Sequence, residues 1–352
     1  MSAVTILGEK DVGELGTIAP HEHVFVDVWS AITRKGMPNR KNEITRNNLL
    51  SAKVAMHLLG ELKIDCTAVL DNLVLSDEEL AVDELLEFKK YGGNTIVDLT
   101  NASMGRDPVA LQRISRLTGM NIITSTGYYI QASHPDEVES RTETELARVM
   151  IEEITSGIDT SRVRAGVIGE IGVTDGVQRN EVKVLRAAAA AQKETGAPIY
   201  IHTWPFGKDG VPALAVVAKA GGDVSRVVVC HVDGHIDLDY CRRLLDQGAY
   251  IGFEHFGKEF KEIRGSEIHV VPDDVERLKA VQKLIGMETG YIRKILFSTD
   301  RCLKTELLKY GGFGYAHVLK TIIPWMRILG FSEEQIATLI VENPKDVVAL
   351  KS

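Results

Sequence analysis

The sequence has few cysteines, and none of them falls in a metal-ligand or disulfide pattern. The four cysteines, Cys66, Cys230, Cys241 and Cys302, are scattered, and no two have Cys-x-x-Cys spacing. A cysteine-ligated zinc site and a small disulfide-stapled fold both need clustered cysteines, so we expect neither. Scattered cysteines are typical of reduced thiols, and we therefore expect a cytoplasmic protein.

Long apolar runs and basic clusters are also missing. No stretch approaches the roughly 18 apolar residues of a membrane span, and the N-terminal segment lacks the charged and apolar regions of a secretory signal. The net charge is -8, and no basic run stands out that could bind nucleic-acid phosphates. We therefore expect no membrane partner and no nucleic-acid partner. Neither Gly-x-Ser-x-Gly nor Gly-x-Gly-x-x-Gly occurs, which argues against a serine hydrolase and a dinucleotide site.

What the sequence does have is the composition of a globular protein. Hydrophobic residues make up 44% of the chain and charged residues 26%, which is enough apolar material for a sizeable core. No shift in composition marks a domain boundary. We expect residues 1–352 to form a single domain, and the sequence leaves a homodimer open.

Short apolar strands alternate with helices along most of the chain. The predicted strands cover residues 17–23, 94–100, 121–126, 164–170, 198–202, 226–231, 250–255 and 294–300. The predicted helices cover residues 44–62, 77–91, 108–117, 142–155, 181–195, 211–220, 238–247, 275–284, 315–329 and 332–341. Continuous apolar strands alternating with helices indicate a parallel sheet covered by helices. Eight such units predict an α/β protein with a (β/α)8 TIM barrel, preceded by a short N-terminal β-hairpin. An open doubly wound sheet is the alternative.

Histidines and carboxylates recur at the ends of these predicted strands. In His21-Glu22-His23, both histidines point to the same side of an extended strand, and Glu22 points to the other. The other strand-end residues are Glu170, His202, His231, His255 and Asp300. The C-terminal strand ends of such a barrel form one rim, where active sites lie. We therefore expect these side chains to meet.

Imidazole and carboxylate groups are common ligands of zinc. Four imidazoles and two carboxylates exceed the needs of one tetrahedral ion and suit two divalent ions about 3.5–4 Å apart. The pattern therefore predicts a binuclear metal-dependent hydrolase. A non-catalytic metal- or ligand-binding barrel is one alternative, although it needs no general base such as Asp300. A mononuclear deaminase-like barrel is another, although it leaves Glu170 without an obvious task.

These motifs, in this order, resemble those of the phosphotriesterase-like family within the amidohydrolase superfamily, along essentially the whole chain. The resemblance rests on His21-Glu22-His23, His202, His231, Asp300, Gly312-Phe313-Gly314-Tyr315 and Glu342-Asn343-Pro344. It implies two divalent metal ions per chain, most readily zinc. His21, His23 and Asp300 would hold the more buried ion, and His202 and His231 the more exposed one. Many members have a carboxylated lysine on the fourth strand, whereas this chain resembles a glutamate variant in which Glu170 bridges the ions.

The resemblance also implies roles around the metals. Asp300 would be the catalytic acid–base group beside a metal-bridging hydroxide, and His255 would face the substrate. Tyr128 follows the third predicted strand, and we expect it to reach the substrate from that loop. Asp233 is a candidate partner of His255, and a supporting role for His235 is left open. The candidate rim is polar and includes Trp204, His255, Phe256 and Lys258. It favours a small lactone or carboxylic ester as the substrate, with a phosphotriester as the alternative.

Overall fold

The computed structural model describes residues 1–33, 49–264 and 267–351. The strands in chain order are β1 (Ser2–Thr5), β2 (Gly8–Asp11), β3 (Thr17–Glu22), β4 (Val26–Asp27), β5 (Val74–Leu75), β6 (Gly93–Asp98), β7 (Asn121–Thr126), β8 (Val167–Val173), β9 (Ile199–Thr203), β10 (Val227–Val229), β11 (Tyr250–Phe253), β12 (Lys261–Arg264), β13 (Glu267–Val270) and β14 (Ile295–Phe297). Strands β1 and β2 pair antiparallel and form the predicted N-terminal hairpin.

Eight of these strands form the barrel. Their order is β14-β11-β10-β9-β8-β7-β6-β3, and all neighbouring strands are parallel. The sheet closes between β14 and β3, where the N–H of Asp300 donates to the carbonyl of His21 (3.2 Å). The hydroxyl of Ser298 donates to the same carbonyl (2.8 Å). The predicted (β/α)8 barrel is therefore confirmed.

Helices connect the barrel strands and cover the outside of the sheet. They are α1 (Val28–Thr33), α2 (Leu59–Ile64), α3 (Glu78–Lys90), α4 (Pro108–Thr118), α5 (Asp136–Ser140), α6 (Glu143–Thr155), α7 (Arg179–Thr195), α8 (Gly210–Lys219), α9 (Leu238–Leu245), α10 (Asp274–Met287), α11 (Ile323–Ile328), α12 (Glu333–Ala337) and α13 (Asn343–Val348). Side-chain caps explain several starts; for example, the Asp77 carboxylate accepts the N–H of Leu80 at the start of α3. Among the described residues, no helix is long and apolar enough to cross a bilayer.

The apolar side chains divide into layers that follow strand alternation. Val97, Val167, Val228 and Leu296 belong to a buried cluster that includes residues of the N-terminal hairpin region. On β6, the adjacent Ile96 instead packs with residues of helices α3 and α4. Both clusters consist of apolar side chains, whereas the buried residues His23, His231 and Asp300 lie just beyond strand ends.

Several predicted elements differ from the structure. Of the predicted helix 44–62, residues 44–48 lie outside the described residues, and within 50–62 only α2 and a 3-10 turn at Met56–Leu58 are helical. Strand β8 continues to Val173, so Glu170 lies within the strand rather than at its end. The predicted helix 315–329 begins instead with a π-helical turn, Val318–Ile322, ahead of α11, which carries Pro324.

A second hairpin, formed by β12 and β13, lies in the connection after β11 and was not predicted. Its apolar residues Ile268 and Val270 are exposed. The ring of His269 stacks on Phe206 at 4.7 Å, so the hairpin contacts the connection after β9.

Candidate metal centre

Strand β3 carries the first two candidate ligands into the barrel. His21 and His23 are both buried, and their ring centroids lie 5.5 Å apart. Asp300, beyond the end of β14, faces both rings: its Oδ1 lies 3.4 Å from His21 Nε2 and 3.2 Å from His23 Nε2. The donor atoms of these three residues all lie within 4.8 Å of one another. The structure therefore brings together the three residues expected to hold the more buried ion.

Glu170 lies between this group and the second pair of histidines. Its Oε1 is 2.8 Å from His231 Nε2, 3.2 Å from His202 Nδ1 and 3.4 Å from His21 Nε2. Its Oε2 is 3.8 Å from His23 Nε2. One carboxylate thus faces both histidine pairs, which is the placement that a bridge between two ions requires.

The donor set fits metal ions. Zinc–ligand distances of about 2.0–2.2 Å place tetrahedral ligands about 3.3–3.6 Å apart, close to the separations found here. Within the described part of the chain, Nε2 of His21 has no hydrogen-bond partner, although the ring is fully buried. Buried polar atoms without a partner are costly, and a cation between the carboxylates would satisfy Nε2.

The charge of the cluster also favours cations. Burial alone lowers the pKa of His21, but the carboxylates of Glu254 and Glu170 outweigh this effect and raise it to about 10. Burial raises the pKa of Glu170, yet the positive charge of His21 and His202 beside it holds that pKa well below its usual range. The carboxylates thus favour positive charge at the position between them, which is the position that divalent ions would occupy.

His255 connects Asp300 to a buried ion pair behind the cluster. Its Nε2 is 3.8 Å from Asp300 Oδ2, and its Nδ1 is 3.1 Å from Asp233 Oδ1. The other oxygen of Asp233 accepts from the backbone N–H of His255 and from Nε of Arg277, each at 2.9 Å. Asp233 thus orients His255, whereas His235 is exposed on the surface.

Sequence reasoning missed Glu254, which supports one histidine of each pair. Its Oε1 lies 3.1 Å from His21 Nδ1, and its Oε2 lies 3.4 Å from His231 Nδ1 and accepts the backbone N–H of His231 at 3.0 Å. A carboxylate on the outer nitrogen of a ligating imidazole orients the ring toward a metal. The only signal in the sequence was a carboxylate directly before His255.

The loop after β7 places a different tyrosine than expected at the cluster. The hydroxyl of Tyr128 donates to Glu137 (3.3 Å), and its ring packs in the apolar core. The hydroxyl of the next residue, Tyr129, lies 3.2 Å from His202 Nε2. Tyr129, rather than Tyr128, therefore contacts a candidate ligand.

Lys258 makes a shorter contact with Asp300 than His255 does. Its buried Nζ lies 2.8 Å from Asp300 Oδ2 and 3.2 Å from Glu306 Oε1. Burial lowers the pKa of Lys258, but Asp300, Cys302 and Glu306 outweigh it and hold that pKa well above its usual range. Lys258 thus forms a buried ion pair with both carboxylates beside the cluster.

The remaining rim predictions have mixed outcomes. Phe256 is fully buried, and its ring packs on Phe297 at 4.7 Å, so it does not line a rim. Trp204 contacts the rings of Phe206 and His269 at 5.7 Å and 5.4 Å. A separate cavity of about 150 Å3 is lined by charges of both signs, and its lining residues include Lys63, Lys258, Glu259, Glu306, Phe260 and Leu303.

The two C-terminal motifs, Gly312-Phe313-Gly314-Tyr315 and Glu342-Asn343-Pro344, form hydrogen bonds near the ends of barrel strands. The hydroxyl of Tyr315 donates to the carbonyl of His23 (2.8 Å), and Nε of Arg301 donates to the carbonyl of Gly314 (3.2 Å). The Asn343 amide donates to the carbonyls of Ile292 and Ile295, each at 2.7 Å. These contacts fix the starts and ends of strands that carry candidate ligands.

Comparisons with known proteins agree with this geometry. Residues 1–348 match the phosphotriesterase family. A phosphotriesterase-related protein of Nematostella vectensis is 35% identical over 99% of both chains. An N-acetyltaurine hydrolase of Danio rerio is 32% identical over 99% of this chain and 97% of the relative. The crystal structure of a resiniferatoxin-binding protein from Rhodobacter sphaeroides is similar with a TM-score of 0.92 and 32% identity, over 100% of this chain and 96% of the other. The chain therefore belongs to the phosphotriesterase family of metal-dependent hydrolases.

Proposed function

We propose that this protein is a binuclear metal-dependent hydrolase. Its substrate would be a small, negatively charged molecule, and the enzyme would cleave the bond between the acyl carbon and the leaving group. An N-acyl amide is the first candidate for that bond. The observation that carries the proposal is the position of Glu170, whose carboxylate faces both histidine pairs. A single tetrahedral ion would leave part of this donor set unused.

His21, His23 and Asp300 would hold one ion, His202 and His231 the other, and Glu170 would contact both. The mixed imidazole and carboxylate donors support zinc, with manganese or cobalt as substitutes. When bound, two such ions supply a hydroxide near neutral pH and polarise the acyl oxygen.

Residues of this chain would then transfer a proton from the attacking water to the leaving group. Asp300 has one oxygen toward the histidines and the other toward His255. It can take a proton from the attacking water and give it to the leaving group, as a general base and then a general acid. Asp233 keeps the His255 ring oriented, and the Arg277 guanidinium balances the charge of Asp233. An amide needs this proton donation, because an amine leaves only after it is protonated.

Lys258 supports an anionic substrate. It provides a buried positive charge next to Asp300 and lines the neighbouring cavity. The relatives named N-acetyltaurine hydrolase support the same choice, because N-acetyltaurine combines an amide with a sulfonate. A small lactone or carboxylic ester, as expected from the sequence, is the second candidate. It is favoured by the ion pair with Lys258, which stabilises the Asp300 carboxylate and makes it a weaker base, and so suits a leaving group that needs less protonation.

The test is a substrate panel with the zinc-loaded protein. It compares N-acetyltaurine, N-acetyl amino acids, small lactones, carboxylic esters and phosphotriesters by kcat/KM. We expect the highest value for an anionic N-acyl amide, then for an anionic ester or lactone, and at most weak turnover of phosphotriesters. A phosphotriester preferred over every carboxylic acid derivative would overturn the substrate part of the proposal. Turnover unaffected by complete metal removal would overturn the mechanism.

Three further expectations stay predictions. We infer that residues 1–352 form one domain, which is supported by the hydrogen bond from the N–H of Leu350 to the carbonyl of Ser2 (2.8 Å). The four free thiols support a reducing compartment such as the cytosol. A homodimer remains to be tested by measurement of the mass in solution.

A further inference from the structure

The middle residue of the His21-Glu22-His23 motif lies on the opposite face of β3 and is fully buried. Four donor groups of one short segment face its carboxylate. Glu22 Oε1 accepts from the Thr299 N–H (2.9 Å) and the Thr299 hydroxyl (2.7 Å), and it lies 2.9 Å from the Ser298 hydroxyl, whose one proton is shared with the His21 carbonyl. Its Oε2 accepts from the Arg301 N–H (2.8 Å). The two backbone donors lie on either side of Asp300.

Asp300 has an unusual backbone conformation, with φ at +45°. This left-handed region is unfavourable for residues with a Cβ, so surrounding contacts must hold it. His231 is the other buried non-glycine residue with positive φ among those described, and Glu254 accepts its N–H. Asp159 and Arg162, which also have positive φ, lie in an exposed turn. Both buried left-handed residues are thus candidate ligands whose local backbone is held by a buried carboxylate.

We propose that Glu22 is a positioning residue for Asp300. By accepting the N–H groups on both sides, its carboxylate holds the left-handed turn and so directs the Asp300 side chain into the barrel. The result is the placement of Asp300 Oδ1 within 3.4 Å of His21 and 3.2 Å of His23. This inference rests on the proposed metal site and adds a task for the residue between the two histidines.

The alternative is that Glu22 only stabilises the barrel, and Glu181 provides a matched control for it. Glu181 is also fully buried, and it accepts the backbone N–H groups of Gln131, Thr174 and Gln178. None of these three is a candidate ligand. Replacing either glutamate with Gln costs similar hydrogen bonds, but only Glu22 acts on a candidate ligand.

The experiment compares Glu22→Gln with Glu181→Gln in metal-loaded protein. In Glu22→Gln, the new NH2 group faces a backbone N–H, so one side of the turn loses its acceptor. Changes next to ligands typically weaken metal binding or activity about 10- to 100-fold. We expect a loss of this size in affinity for one of the two ions, measured by chelator titration, and a similar fall in kcat with KM within about twofold. Glu181→Gln should lower Tm yet retain both ions and wild-type kcat.

A double-variant cycle shows whether the effect passes through Asp300. Glu22→Gln added to Asp300→Asn should lower kcat no further than Asp300→Asn alone. Glu22→Asp retains the charge but is one methylene shorter, so it cannot reach both N–H groups and should also weaken one ion if Glu22→Gln folds poorly. Wild-type affinity for both ions in a folded Glu22 variant, or an additive loss in the double variant, overturns the inference. If the wild-type protein itself binds no metal, the proposed function fails instead.

Discussion

The charge of Lys258 allows the most specific test of the substrate. Lys258→Met removes the ammonium group and keeps an unbranched apolar stem of similar length. A hydrogen bond to a charged group contributes about 1.5–3 kcal/mol. At about 1.4 kcal/mol per factor of ten, kcat/KM for an anionic substrate should fall about 10- to 150-fold through this contact.

The assay measures kcat/KM for N-acetyltaurine and for N-acetylethanolamine, a neutral amide of similar size. Lys258 also neutralises Asp300 at 2.8 Å, so both substrates will share any loss that arises there. The ratio of the two kcat/KM values removes that shared loss and isolates the contact with the anion. We expect the preference for the anionic substrate to fall in Lys258→Met.

Lys63 provides the control, because it lines the same cavity but is exposed and pairs with Glu259 at 3.4 Å. Exposed pairs contribute little, so Lys63→Met should change the ratio by less than about threefold. An unchanged ratio in Lys258→Met would refute the assignment of an anionic substrate to this lysine.

Three further predictions concern the catalytic group Asp300, the bridging group Glu170 and the ion pairs of Asp71. Asp300→Asn should lower kcat about 10²- to 10⁴-fold, the usual contribution of an acid–base group, while substrate binding stays measurable by calorimetry. Because Glu170 is already an anion, reconstitution of the apoprotein with zinc should not depend on bicarbonate. The assay measures the rate at which activity returns after zinc is added, and a severalfold acceleration of that rate by bicarbonate would rule out Glu170 as the bridge. Burial raises the pKa of Asp71, but hydrogen bonds from Lys304 and Lys53 outweigh it and lower the pKa to about 2. Since this pKa lies below the unfolded value of about 3.8, the stabilisation is present above that pH and is lost as the pH falls toward 2. Asp71→Asn should therefore lower stability by about 1 kcal/mol at pH 7, with the difference in Tm narrowing below about pH 4; a pH-independent difference would contradict the ion-pair explanation.

The barrel and the main ligand positions could be predicted because they depend on strand periodicity. Apolar strand runs indicate a parallel sheet, and the chain order of parallel strands determines which ends share a rim. His21, His23, His202, His231 and Asp300 lie at or just beyond strand ends, so local sequence was enough to predict that they meet. Metal binding by this set stays a prediction.

Residues that act from loops or through neighbouring strands could not be placed in this way. Tyr128 and Tyr129 follow β7, and outside a strand alternation no longer tells which side chain faces the rim. Glu254 and Arg277 contact the site only because separate elements pack together. The spacing of residues within one element does not predict such contacts. The helix predicted at 44–62 is interrupted over residues 50–55 for a related reason. Val54, Leu58 and Leu62 are buried in a small cluster of their own, while Asp71 accepts the N–H of Val54 and holds it outside a helix.

The most direct test of the central claim is the metal content of protein purified without chelator, measured by inductively coupled plasma mass spectrometry together with activity. We predict about two divalent ions per chain, the stoichiometry of a two-metal site. Glu170→Gln should retain fewer, because a neutral amide is a poor bridge between two cations. Fully active protein that contains no metal would contradict the account.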